Sequence, residues 1–126
     1  MEGTVQVLQE TTSTTLYIKL TGRVTLDDYM QNFENLVRKM VQENGWYNLY
    51  VYYDPDFAGW QENAAEASFK CISECGPKAR QLAYVNPPDS RRLMMKMLQP
   101  IMNAEMRFFE DEEQEEAKAW MQPYKK

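Results

Sequence analysis

Apolar residues recur along this chain with two different periods, and the switches between them mark out nine elements. Val5-Gln6-Val7-Leu8 and Thr15 to Leu20 predict two strands joined by the polar turn QETTST. In the second, Leu16, Ile18 and Leu20 alternate with Tyr17, Lys19 and Thr21, which predicts one buried face and one wetter face. From Thr25 to Asn44 the period becomes helical: Leu26, Tyr29, Met30, Phe33, Leu36, Val37, Met40 and Val41 fall on one stripe. Thr25 suits the N-cap, Asp27 and Asp28 suit the positive end of the helix dipole, and Asn44-Gly45 supplies a left-handed stop. The run YNLYVYYD (47–54) lacks clean alternation, as expected of a central strand covered on both faces.

A turn-rich loop, DPDFAG, follows. Gln61 to Cys75 then predicts a helix with Ala65, Phe69, Ile72 and the cysteines on one side, stopped by Gly76-Pro77. Arg80 to Asn86 predicts the next strand and NPPD (86–89) a hard loop. Ser90 to Met102 predicts a helix apolar over much of its circumference, with Pro100 placed to kink or end it. Met106 to Phe109 predicts a short strand and Asp111 to Met121 a last helix. The order β-β-α-β-α-β-α-β-α implies an α/β fold: a mixed, mostly parallel five-stranded sheet with about four helices, the first strand being the antiparallel addition. With 126 residues and no linker or repeat, residues 1–126 are expected to form one domain.

Composition sharpens this reading. Apolar residues make up 44% and aromatics 13%, enough for a core without disulfides or metals. The net charge of -5 is local, because six of the 19 acids lie in EDEEQEE (110–116), leaving 13 acids against 14 bases elsewhere. That balance excludes a chain-wide basic footprint for nucleic acid. No run approaches the roughly 18 apolar residues of a membrane span, and the N-terminus lacks a basic start with an apolar stretch, so a cytoplasmic protein is expected. Cys71 and Cys75 lie four apart on a helix with side chains projecting in parallel, which suits reduced thiols. With no histidine, Ser-His, Cys-His and His-metal chemistry falls away, and neither a metal nor a cofactor is predicted.

The strand ending in Leu20-Thr21-Gly22-Arg23-Val24-Thr25, with Asp27-Asp28-Tyr29 opening a long helix, resembles the SpoIIAA-like group of bacterial proteins. The closing Met106-Arg107-Phe108-Phe109, then Glu115-Glu116-Ala117 and Ala119-Trp120, is similar to that family's last strand and helix. The group is related to the STAS domain of anti-sigma-factor antagonists and is likened to the Sec14 (CRAL-TRIO) lipid-binding domain. The resemblance implies a non-enzymatic module that binds a partner protein or an apolar ligand, with a homodimer among the outcomes. In STAS antagonists a phosphorylatable serine opens the helix after the strand-end aspartate. Here Asp54 fits the strand end, but PDFAGWQENAAEA offers no hydroxyl before Ser68, so the phosphoserine switch is not carried over.

In open α/β sheets ligands sit beyond the carboxyl ends of the strands. Three loops converge there: Gly22 to Val24, Asp54 to Trp60, and Asn86 to Arg92. The second brings Phe57 and Trp60 beside Asp54 and Asp56. The third brings Asn86, Ser90, Arg91 and Arg92 at a helix start, a setting that favours anions. These eight residues form the candidate site for a small amphipathic or lipid-like ligand; the alternative leaves the arginines solvated and the aromatics covering the sheet edge. Met94, Met97 and Met102 belong to a stripe with Leu93, Leu98 and Ile101, a partner-docking face or else core, from which Met95 is expected to project elsewhere. Glu112, Glu113 and Glu116 are either a docking patch for a basic partner or a solvated face. Asp54 and Asp56 as an acid–base pair have no aligned nucleophile, so an enzyme is the distant alternative.

Overall fold

The fold was read from a computed structural model, which describes residues 2–102 and 104–121. Strands β1 (Glu2–Val7) and β2 (Thr15–Thr21) form an antiparallel hairpin in which Val5 pairs with Leu20. Thr11 closes its turn, because its hydroxyl both accepts from the Tyr17 amide and donates to the Tyr17 carbonyl. Strand β3 (Arg23–Val24) then leads into a helical rod made of α1 (Leu26–Tyr29), a π turn (Met30–Glu34) and α2 (Asn35–Asn44). The rest alternates: β4 (Tyr47–Tyr53), β5 (Gly59–Trp60), α3 (Glu62–Cys75), β6 (Ala79–Val85), α4 (Asp89–Met102), β7 (Glu105–Phe109) and α5 (Gln114–Met121).

The sheet runs β5-β3-β1-β2-β4-β6-β7. Its five long strands are the five expected, antiparallel between β1 and β2 and parallel from β2 through β4 and β6 to β7. The two-residue strands β3 and β5 continue it past β1. The rod, α3 and α4 cover one face, and α5 covers the other. All seven residues of β4 are buried, and the alternation its composition hides is regular. Tyr47, Leu49, Val51 and Tyr53 face the three-helix side, while Tyr50 and Tyr52 face α5. Two apolar environments leave no polar positions to mark the period.

Two helices are rotated from the expected faces. In α3 the sheet side is Ala64, Ser68, Cys71 and Cys75, whereas Ala65 is exposed and Phe69 is 52% exposed. Small residues there let the helix approach closely. In α4, Met95 does not project away but is fully buried together with Met102, and Leu93 and Met97 turn to solvent at 62% and 71% exposure. A helix apolar nearly all round satisfies more than one rotation, and here the i, i+7 pair Met95 and Met102 takes the core. Pro100 does not end α4, which continues to Met102. Gly76 packs below it, where an added Cβ would lie 3.0 Å from the Met102 sulfur and make that side chain shift.

The start of the rod behaves as its sequence predicts. The Thr25 hydroxyl accepts from the Asp28 amide at 3.3 Å, and Asp28 in turn accepts from the Val5 amide at 2.8 Å. Capping and strand attachment are thus one unit. Thr25→Ala should lower unfolding free energy by about 1 kcal/mol in urea titration, and Asp28→Ala by at least as much, because it also strands the Val5 N–H.

Candidate functional site

The carboxyl ends of β2, β4 and β6 are shaped by backbone conformations that few residues tolerate. Gly22 and Gly59 have φ of 58° and 105°, and Asn86 has φ of 60°. Asn86 holds this left-handed turn because its side-chain amide donates to the Tyr53 carbonyl at 2.9 Å while its own N–H donates to the Phe109 carbonyl at 2.8 Å. The β4–β5 loop is pinned to the β2 end: the Ala58 amide donates to the Gly22 carbonyl at 2.7 Å, and the Gln61 amide to the Val24 carbonyl at 2.9 Å. Within the loop, Asp54 accepts from the Asp56 amide at 3.1 Å. This bond, with Lys19 at 3.5 Å, lowers the Asp54 pKa, and the hydrogen bond shared with Asp54 raises that of Asp56.

Between this loop and the start of α4 lies an open groove of about 520 Å³, lined by Phe57, Trp60, Pro88, Ser90, Arg91 and Met94 among others. The Arg91 guanidinium stacks over the Trp60 ring at 5.1 Å, and Phe57 meets Trp60 edge-on at 6.1 Å. Behind the groove a small interior cavity of about 30 Å³, room for a water or two, opens between the sheet and the three-helix layer. Tyr29, Tyr47, Tyr53 and Tyr84 line it with Ser68 and Cys71, and Trp60 and Arg91 line both spaces. Burial raises the pKa of Tyr53 and Tyr84, against a smaller opposing effect of Arg91. Burial, then Cys75, pushes the Cys71 thiol up to about 12, which keeps it unreactive.

The SpoIIAA-like family model matches residues 15–122, most of the chain and all of the elements that build this groove. The chain belongs to the SpoIIAA-like family. Its fold is similar to that of an uncharacterised DUF3478-family protein with a SpoIIAA-like fold from Shewanella loihica PV-4, with a TM-score of 0.66 and 17% identity over 94% of this chain and 93% of that one. At that identity the likeness shows the fold alone. No curated protein matches the sequence.

Of the candidate residues in this SpoIIAA-like chain, the fold brings Phe57, Trp60, Ser90, Arg91 and Met94 together around the groove. Asp54 and Asp56 engage each other and Lys19 instead, and Asn86 serves the turn. Arg92 leaves the groove for the Phe108 ring at 5.3 Å. Met97 points outward and Met102 is buried. Glu112 and Glu116 are exposed on the α5 side, while Glu113 accepts from the Glu110 amide at 2.7 Å in a capping box. Among the described residues no three acids or thiols are grouped to hold a metal ion, and no helix is long and apolar enough to cross a membrane.

The cavity tyrosines were the signal that the strand pattern contained but did not single out: Tyr47 and Tyr53 stand six residues apart on one face of β4. Their raised pKa values mean that stability is complete below about pH 10, where tyrosine is neutral in both states, and is lost as pH rises above it, because only the unfolded chain releases those protons. Tyrosinate absorbance from the cavity rings should therefore appear only together with alkaline unfolding. Titration of the cavity tyrosines near the ordinary value in the folded protein would contradict their burial.

Proposed function

We propose that this SpoIIAA-like chain is a non-catalytic, cytoplasmic binding module that takes a small amphipathic anion in the groove between the β4–β5 loop and α4. The observation that carries this reading is the Arg91–Trp60 stack in the groove wall. A guanidinium held over an indole keeps its N–H donors free at the edge for a carboxylate, sulfonate or phosphate. Phe57, Trp60 and Met94 offer apolar surface to the remainder of the ligand. Ser90 adds a hydroxyl beside the first turn of α4, where unpaired amides favour negative charge.

A carrier that encloses a lipid chain fits less well, because the interior space of about 30 Å³ admits no more than a water-sized group or two. A protein partner remains the second reading, favoured by Leu93 and Met97 exposed on the outer side of α4. Regulation by phosphorylation at the helix after β4 is not part of the proposal, since Ser68 is 3% exposed and packs against the cavity. The free, buried thiols Cys71 and Cys75 suit a reducing compartment.

Titration with a fluorescent amphipathic anion such as anilinonaphthalene sulfonate tests the groove. Arg91→Ala should weaken binding about tenfold or more through loss of a charged hydrogen-bond donor, and Trp60→Ala comparably. Arg92→Ala, whose guanidinium sits on Phe108, should leave affinity within about twofold. Equal affinity of wild type, Arg91→Ala and Trp60→Ala would sink the reading.

A further inference from the structure

The two edges of the sheet are built differently. At one, β5 is two residues long and begins at Gly59, so it presents little to a further strand. At the other, β7 runs for five residues without proline or bulge, and among the described residues β6 is its only paired strand. The Phe109 carbonyl accepts from Asn86, which directs the backbone groups of Phe109, and by alternation those of Arg107 and Glu105, toward β6. Met106 and Phe108 therefore direct their N–H and C=O groups outward.

We propose that β7 is a dimerisation edge, pairing antiparallel with β7 of a second copy about a two-fold axis at Met106. In this register Met106 exchanges both backbone hydrogen bonds with the partner's Met106. Glu105 then lies opposite the partner's Arg107, and Arg107 opposite the partner's Glu105, so the edge is complementary to itself. Both side chains are exposed in the single chain. A register centred one residue later sets two arginines against each other, so the charge order selects the Met106 axis.

The flanking charges do not oppose this pairing. Arg92 and Lys96 lie over Phe108, two residues from the axis, at 5.3 and 5.7 Å from the ring. Their copies are about 13 Å apart along the strands, farther than the ~8–10 Å screening length near physiological salt. The acidic turn Asp111–Glu113 begins beyond Phe109, farther still. The ligand groove faces the loop that ends in β5, so two copies joined at β7 keep both grooves open, and this proposal does not depend on what the groove binds.

Sedimentation velocity across a concentration series, with circular dichroism as the check on folding, tests the edge. Wild type is expected to be a dimer at micromolar concentration. Arg107→Glu should weaken it about tenfold or more, because both symmetric pairs turn repulsive, and the swap Glu105→Arg with Arg107→Glu should restore it. Met106→Pro, which removes an outward N–H, should leave a folded monomer. Met106→Cys should crosslink between copies on oxidation, since Cα atoms about 5.5 Å apart are within disulfide reach. A wild type that stays monomeric, a charge swap that fails to restore the dimer, or a dimer that survives a folded Met106→Pro variant would overturn the proposal, the last pointing instead to the Leu93 and Met97 face.

Discussion

The double burial of β4 is the constraint on which the rest of the molecule depends. Among the described strands it alone is buried along its whole length, with both neighbours parallel to it. Its odd-numbered residues anchor the layer formed by the rod, α3 and α4, and Tyr50 and Tyr52 anchor α5. Its one buried amide side chain bonds at both ends: Asn48 donates to the Thr15 hydroxyl at 3.3 Å and accepts from the Gln81 backbone N–H at 2.9 Å. The second bond lies where the β4–β6 register shifts, so it takes up a donor that the irregular ladder would strand. A central strand with aromatic residues on both faces also fixes how far the helices stand from the sheet.

That spacing decides what the carboxyl end of the sheet can offer. Tyr47 and Tyr53 project from β4, and Tyr84 from β6, into the three-helix layer, where they leave a small space of about 30 Å³, too small to hold a hydrocarbon chain. Trp60 closes it on one side by packing edge-on against Tyr29 at 5.8 Å, and Arg91 lies over the outer part of the same ring. Groove and interior therefore share one wall. A ligand that moved Arg91 would alter the surroundings of Tyr53 and Tyr84 as well.

The order and type of the elements were legible because they rest on local physics. Thr25 caps the rod and Gly45 ends it with φ of 82°. In β2, Leu16, Ile18 and Leu20 take the buried face expected, but the face expected to be wetter is covered at Tyr17, which is buried on the α5 side. The site was legible in outline only. Phe57, Trp60, Ser90 and Arg91 meet as the loop positions implied, but Arg92 does not join them, since its place on the helix, about 100° on from Arg91, turns it to the Phe108 ring. The acidic segment looked like one uniform patch, yet Asp111 accepts from the Tyr52 hydroxyl at 2.6 Å and Glu113 caps the turn before α5. Those uses require partners distant in sequence or a backbone already turned.

The sequence by itself determined the α/β order, the mixed sheet, the confinement of excess negative charge to one helix start and the absence of histidine chemistry, because each follows from period, composition or local capping. Only the tertiary structure decided which way α3 and α4 rotate, that Met95 is core and Met97 is not, and which arginine meets Trp60. Those choices fall where the chain is apolar on more than one side, so several rotations bury similar area and the better-packed one prevails.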